Sequence, residues 1–260
     1  MISPTLPPPS PVRAIPALIL REVATGYGRT PGGWIWAIVE PVAAIALLSY
    51  IFALAFNAPP VGQSFALFYA LGYLPFMAFL DISTKLANAL RFSRHLLAYP
   101  ALARMDAFLA RLILNTLTQL VVAAVVLIGV VLLFETGAIW SGPILAQVVA
   151  LTVLLSTGVG LLNAALFARL PLWERVWQIA MRPMFIISGI FFVQEDLPAD
   201  LAAIAWWNPL IHITGFARSA AIPSYSAPLA SVSFVMFFSL SLLLLGLLAL
   251  RLVAKDPAHV

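Results

Sequence analysis

Long apolar stretches alternate with short polar segments along the chain. A helix that spans a bilayer needs about 20 mostly apolar residues, and six stretches approach or exceed that length. They are residues 35–56, 65–84, 108–133, 144–167, 177–193 and 229–250. The pattern predicts an all-α integral membrane protein with six transmembrane helices. The fifth is the shortest and carries Arg182 and Pro183 in its first turns.

An amphipathic segment precedes the first of these spans. In residues 14–29, apolar side chains recur at helical spacing, and Arg21, Glu22 and Arg29 are among the polar residues between them. The segment is too short and too charged to cross a bilayer, so we expect a helix that lies in the membrane surface. Residues 1–13 are rich in proline and are predicted to be a disordered tail before a single domain, residues 14–256.

A second unusual segment, residues 194–228, separates the fifth and sixth spans. It is too apolar for an ordinary loop and too rich in proline for a clean span, and it contains Trp206 and Trp207. Backbone that is not helical at membrane depth must be buried in protein or line a wet cavity. We therefore expect short re-entrant helices at the outer interface.

The composition agrees with a lipid environment. Hydrophobic residues make up 63% of the chain and charged residues 9%, against roughly 25% charged in soluble domains. This excludes a soluble enzyme and a nucleic-acid-binding domain. Of the 14 lysines and arginines, all but Arg218 fall on the side that the two termini share when the spans are even in number. The positive-inside rule therefore predicts cytoplasmic termini.

Several kinds of chemistry are missing. A phosphate-binding P-loop needs Lys after Gly, but neither Lys85 nor Lys255 follows a glycine. The chain has no cysteine and no HExxH motif. We therefore predict no catalytic residue, no metal and no cofactor on this chain. Carboxylates within the spans lie towards the span ends, which disfavours a proton-coupled transporter.

A few polar side chains do enter the spans. Asn115, Thr118 and Gln119 share one helical face, and either hydrogen-bond neighbouring helices or line a hydrophilic path. Asp81 and Lys85 are four residues apart, which predicts a helical ion pair.

The linker between the second and third spans, residues 91–104, is basic at both ends and apolar in its centre. It is either a loop on the lipid headgroups or a short helix that docks a cytoplasmic partner, and we favour the docking helix. Its candidate docking residues are Arg94, Leu96, Leu97, Tyr99, Pro100 and Arg104.

Three further segments form a set whose order and spacing point to a known family. They read YGRTPGGWIWAIVEP at 27–41, RPMFIISGIFFVQEDLP at 182–198 and WWNPLIHITGFAR at 206–218. With six spans and this length, the chain resembles the membrane subunit of ABC-type polysaccharide exporters from about residue 14 onwards. The resemblance is to the KpsM-like capsule exporters, with the Wzm-like O-antigen exporters as close relatives.

The resemblance implies a homodimer in the inner membrane of a Gram-negative bacterium. Each copy binds a separate KpsT-like cytoplasmic ATPase, which carries ATP and Mg²⁺. Residues 14–29 correspond to the family's interface helix, 91–104 to its coupling helix, and 194–228 to its outer re-entrant helices. A periplasmic adaptor and an outer-membrane export protein complete such systems.

Candidate residues for the substrate path are aromatic, amide or cationic side chains near the expected channel. They are Tyr69, Tyr73, Phe76, Asn115, Gln119, Arg91, Arg111 and Arg182. The outer candidates are Trp207, Asn208, His212 and Arg218. Asn208 is expected to cap a turn. His212 and Arg218 either hydrogen-bond carbonyls of their own segment or contact an acidic polymer.

Glu40 lies inside the first span and needs a cation, for which Arg29, Arg111 and Arg182 are the candidates.

The function that the resemblance implies is ATP-driven export of an acidic, lipid-linked capsular polysaccharide. Alternatives are a same-plan exporter of O-antigen, teichoic acid or a small molecule, and a membrane scaffold without transport.

Overall fold

The structure is a computed structural model that describes residues 11–26, 33–92 and 104–254. Over these ranges all regular structure is helical. The helices are α1 (Pro11–Gly26), α2 (Gly33–Ala55), α3 (Phe65–Ala87), α4 (Ala89–Phe92), α5 (Arg104–Leu133), α6 (Gly142–Arg169), α7 (Trp173–Phe185), α8 (Ala199–Ala205), α9 (Pro209–Ser219) and α10 (Val232–Ala254). A π-helical turn, Ile186–Ile190, continues α7, and a 3₁₀ turn, Gln194–Asp196, follows it.

Five of the helices are long and apolar enough to cross a membrane. They are Ile35–Ala55, Phe65–Ala87, Met105–Leu133, Gly142–Arg169 and Val232–Val253. They coincide with the first, second, third, fourth and sixth predicted spans, with ends that differ by a few residues.

The fifth predicted span, residues 177–193, is not among these five helices. Its helical part is α7, which begins earlier, at Trp173, and its regular geometry ends within the π-helical turn. Gly189 there has φ +75°, a left-handed conformation that a continuous α-helix does not contain. The count of six spans therefore stays a prediction.

Helix α3 forms the centre of the fold. Phe68, Tyr69 and Phe76 are almost completely buried along it, and α3 packs against α2, α5, α6 and α9. Tyr69 lies within an aromatic cluster with Phe52 and Phe191, with ring centroids 5.1 Å and 6.4 Å away. The other long helices expose apolar side chains, as expected of helices that face lipid.

Helix α6 packs closely against α10 because glycines allow the backbones to approach. A methyl group on Gly158 would lie 2.8 Å from the Ser239 carbonyl oxygen, and one on Gly246 would lie 2.8 Å from the Leu162 nitrogen. Both distances are far shorter than normal contacts, so these positions specify the α6–α10 interface.

Helix α1 begins at Pro11, rather than at residue 14, and packs against α5. Proline suits the first turn of a helix, where its missing N–H is not needed. Several predictions fall outside the described residues: those on Arg29, Arg94, Leu96, Leu97, Tyr99 and Pro100, and on residues 1–10. For Arg104 the structure describes the helical backbone alone.

Candidate substrate cavity and outer helix junction

A cavity of about 910 Å³ lies between α2, α3, α5 and α7. Its walls combine aromatic faces with charged and amide groups. The aromatic lining residues are Tyr73, Phe76, Phe167, Trp177 and Phe185. The charged and amide lining residues are Glu40, Asp81, Lys85, Asn88, Gln119, Glu174, Gln178 and Arg182. Aromatic faces and hydrogen-bonding groups together suit a ligand with both apolar and polar edges.

Four of the predicted path residues line this cavity: Tyr73, Phe76, Gln119 and Arg182. The other four are not among the residues that line it. Tyr69 is fully buried in the aromatic cluster of α3. Asn115 is buried and donates to the Arg111 carbonyl at 2.7 Å.

The remaining two path candidates, Arg91 and Arg111, are held in ion pairs. Arg91 pairs with Glu174 at 2.9 Å, at the side of the cavity that Glu174 lines. Arg111 pairs with Glu22 of α1 at 3.2 Å and also donates to the Lys85 carbonyl. Glu22, predicted only as part of the surface helix, is therefore tied to a membrane-spanning helix.

A polar network crosses from α3 to α5 within the cavity wall. The expected pair forms, with Lys85 Nζ 2.9 Å from Asp81 Oδ2. Gln119 Nε2 donates to the same oxygen at 2.9 Å. Helical spacing predicted the first contact, but the second depends on how α5 packs against α3.

Glu40 and Arg182 bring opposite charges to the same cavity from α2 and α7. Arg111 was a candidate partner for Glu40, but it pairs with Glu22 instead because α1 lies against α5. Glu40 forms no ion pair with any residue that the structure describes. Arg182, likewise, forms none within the described ranges.

Sequence reasoning missed the cavity residues of α7 other than Arg182. Trp177, Met181 and Phe185 recur at intervals of four residues and share one face. This amphipathic spacing was a usable signal. Treating residues 177–193 as an apolar span concealed it.

The break after α7 forms a second polar centre, which we call the outer helix junction after the position that the sequence predicts for it. Left-handed Gly189 frees backbone carbonyls of the preceding helix, and buried carbonyls need other hydrogen-bond partners. Asn208 donates to the Ile187 carbonyl at 3.2 Å, and the Thr214 hydroxyl lies 3.0 Å from the Ser188 carbonyl. Asn208 also caps α9 by accepting from the Leu210 N–H, as predicted.

Arg218 completes this junction from α9. It is 1% exposed and donates to the Ile190 carbonyl at 3.0 Å and to the Phe192 carbonyl at 2.9 Å. Its guanidinium also lies 3.9 Å from the centre of the Phe68 ring. Burial lowers the pKa of Arg218 to about 10, and the nearby carboxylates of Glu195 and Asp196 oppose this shift. The side chain therefore stays charged at neutral pH.

His212 is equally buried, and its two ring nitrogens have distinct partners. Nδ1 accepts from the Ser231 N–H at 3.2 Å, so Nε2 carries the proton and donates to the Trp206 carbonyl at 2.7 Å. Burial lowers the pKa of His212, partly offset by the Trp206 bond. The His212 bond to Trp206 is the predicted contact within its own segment, whereas Arg218 bonds to carbonyls of the preceding segment, at Ile190 and Phe192. Trp207, in contrast, is 70% exposed.

The described ranges contain no group of three His, Cys, Asp or Glu side chains that could hold a metal ion.

The sequence model of the ABC-2 type transporter family matches residues 13–222. The polysialic acid transport protein KpsM of Escherichia coli is 30% identical over 237 residues, which cover 91% of this chain and 92% of that protein. The capsule polysaccharide export inner-membrane protein BexB of Haemophilus influenzae is 25% identical over 252 residues, covering 94% and 92%. The corresponding protein CtrC of Neisseria meningitidis serogroup B is 27% identical over 244 residues, covering 90% and 89%.

Proposed function

Because this chain belongs to the ABC-2 type transporter family, we propose that it is the membrane subunit of an ATP-driven exporter of capsular polysaccharide. The observation that carries the proposal is the cavity between α2, α3, α5 and α7, which joins Trp177 and Tyr73 to charged groups among apolar helices. The choice of cargo is supported by the similarity, over most of both chains, to a polysialic acid transport protein and a capsule polysaccharide export protein.

The proposed topology has six crossings, with α7 and its π-helical turn as the fifth. The outer re-entrant part is then α8 and α9. Both termini lie in the cytoplasm of a Gram-negative cell, and the protein lies in its inner membrane. The concentration of basic residues on one side of the spans supports this orientation.

ATP hydrolysis is proposed to occur on a separate subunit. The lack of any lysine after a glycine supports a chain without its own P-loop. The partner would be a KpsT-like ATPase that binds ATP and Mg²⁺ and docks on residues 91–104. The ion pair between Glu22 and Arg111 supports a mechanical connection from α1 to α5.

Two copies of the chain are proposed to enclose the path, with a periplasmic adaptor and an outer-membrane export protein continuing it. The cargo is proposed to be acidic and lipid-linked. Arg182 supports an acidic cargo because it lines the cavity without an ion pair to any other described residue. When the ATPases close on ATP, movement at residues 91–104 changes the width of the cavity and advances the glycan along its aromatic faces.

Deletion of the chain from cells that make a capsule tests this function. The polymer should disappear from the cell surface and accumulate in the cytoplasm, and a plasmid copy of the chain should restore export. A deletion strain with a normal surface capsule would contradict the proposal.

The ATPase contact is tested in the same strain. Leu97→Asp with Tyr99→Asp should abolish co-purification of an ATPase and leave the polymer inside the cell, because two charges enter the apolar centre of the linker. Ile139→Asp, on an exposed outer loop residue, is the control and should preserve both. Full co-purification by the double variant would rule out this docking segment.

A further inference from the structure

We propose that Asp81, Lys85 and Gln119 form a subsite that binds adjacent hydroxyl groups of a sugar ring. The inference rests on the proposed function, since the ring would belong to the exported glycan. It goes further by assigning uncharged hydroxyl groups, rather than acidic groups, to a particular set of side chains.

The hydrogen-bonding capacity of the three side chains is only partly used. Lys85 has three N–H donors, and one is used by Asp81 Oδ2. That oxygen also accepts from Gln119 Nε2. Several groups have no partner among the residues that the structure describes. They are two N–H donors of Lys85, the Oδ1 oxygen of Asp81, and the Oε1 oxygen and second N–H of the Gln119 amide. All three residues line the cavity.

This unused set contains donors and acceptors side by side. A sugar hydroxyl both donates and accepts, so two neighbouring hydroxyls can use a lysine donor and a carboxylate or amide acceptor together. A carboxylate or phosphate group only accepts, and Asp81 Oδ1 would repel it. The set therefore fits a vicinal diol better than an anion.

The internal bonds fix the geometry of the subsite. Asp81 is held from two sides, by Lys85 within α3 and by Gln119 from α5, at 2.9 Å each. Such pre-organisation lowers the entropy cost of binding. The side chains of Lys85 and Asp81 remain 35% and 31% exposed, so a ligand can still reach them.

An aromatic wall lies in the same cavity. Trp177 and Phe185 contribute to it from α7, and both side chains are partly exposed. The apolar face of a sugar ring packs on aromatic rings while its edge hydroxyls reach polar groups. The polar subsite and the aromatic wall together satisfy both requirements.

Binding of a defined glycan tests the subsite. The purified complex in lipid nanodiscs is titrated by calorimetry with oligosaccharides cut from the polymer that accumulates in the deletion strain. Gln119→Met should weaken binding by about tenfold or more, because hydrogen bonds to the diol are lost in a partly buried site. Arg169→Gln, a charge change on a residue that does not line the cavity, should bind like the parent.

A charge-swapped variant separates ligand binding from a structural role. Asp81→Lys combined with Lys85→Asp retains a helical ion pair but exchanges the positions of donors and acceptors. We expect near-parental thermal stability together with a loss of affinity of about tenfold or more. Parental affinity in the swapped variant and in Gln119→Met would overturn the inference.

The two failures are distinguishable. If the deletion strain accumulates no polymer, the proposed function itself fails. If polymer accumulates and its oligosaccharides bind the Gln119→Met and swapped variants as they bind the parent, the exporter stands and this subsite is wrong.

Discussion

Buried polar side chains at the outer helix junction show how a few residues replace helical hydrogen bonds. Arg218 reaches the carbonyls of Ile190 and Phe192, and Asn208 reaches that of Ile187. The sequence predicted that Arg218 is the one lysine or arginine on the outer side of the membrane. Two roles were open for it: a hydrogen bond to backbone carbonyls or a contact with the polymer. Its partners could not be identified from sequence, because they lie more than 20 residues away and depend on how α9 folds back.

Arg218→Met should destabilise the protein by about 3 kcal/mol, because two buried carbonyls lose charged donors. Arg218→Lys should recover part of the lost stability, because lysine keeps the positive charge but has fewer N–H donors. Thermal unfolding in detergent measures both, with Arg251→Met as an exposed control. An Arg218→Met variant as stable as the control would show that these bonds contribute little.

The His212 environment predicts a pH dependence of stability. Burial lowers the pKa of His212 in the folded protein, whereas the unfolded chain titrates near about 6.5. The stabilising contribution of neutral His212 is therefore complete above about pH 6.5 and is lost as the pH falls through the lower folded pKa. The unfolding temperature should fall between pH 7 and pH 5, and His212→Gln should flatten that fall. Equal pH profiles for parent and variant would contradict the assignment.

Apolar length alone located five of the spanning helices, but it could not locate the break in the fifth predicted span, residues 177–193. Hydropathy measures composition, whereas the end of α7 depends on backbone conformation at Gly189 and on contacts from α9. Within the polar network, spacing of four residues predicted Asp81 with Lys85. It could not predict Gln119, because the register of α5 against α3 is set by packing.

Gly189→Ala should destabilise the outer helix junction by about 1–3 kcal/mol. The residue has φ +75°, and an added methyl group would lie 2.9 Å from Ile211 Cγ1 and from Thr214 Oγ1. Gly129→Ala is the matched control, since a methyl group there meets nothing within 4 Å. Thermal unfolding of the two variants compares them directly, and equal stability would contradict the strained turn.

In the whole molecule, the helices surround a cavity in which some charged side chains form ion pairs and others do not. Asp81 and Lys85 neutralise one another, and Glu174 pairs with Arg91. Glu40 and Arg182 line the cavity without such partners in the described part of the chain. Four of the eight candidate path residues line this cavity. The sequence could not show which four, because the rotation of each helix about its axis is decided by packing.

Arg182→Gln should reduce surface polysaccharide by about tenfold if the cargo is acidic, because a charged hydrogen-bonding group is lost from the path. Membrane level and ATPase co-purification should stay unchanged. Arg175→Gln removes the same charge from the same helix outside the cavity and should export normally. Surface polysaccharide can be quantified on intact cells, and equal export by both variants would exclude a role for Arg182 in the path.

ATP-driven transport by this chain is measured in inverted inner-membrane vesicles from the complemented deletion strain. The cytoplasmic polymer is added outside the vesicles with ATP and Mg²⁺, and the polymer that becomes protected inside is quantified. We expect protection that requires ATP, is blocked by vanadate and is absent from vesicles without this chain. Protection that is equal with and without the chain, or that never responds to ATP, would contradict its role as the membrane subunit of a polysaccharide exporter.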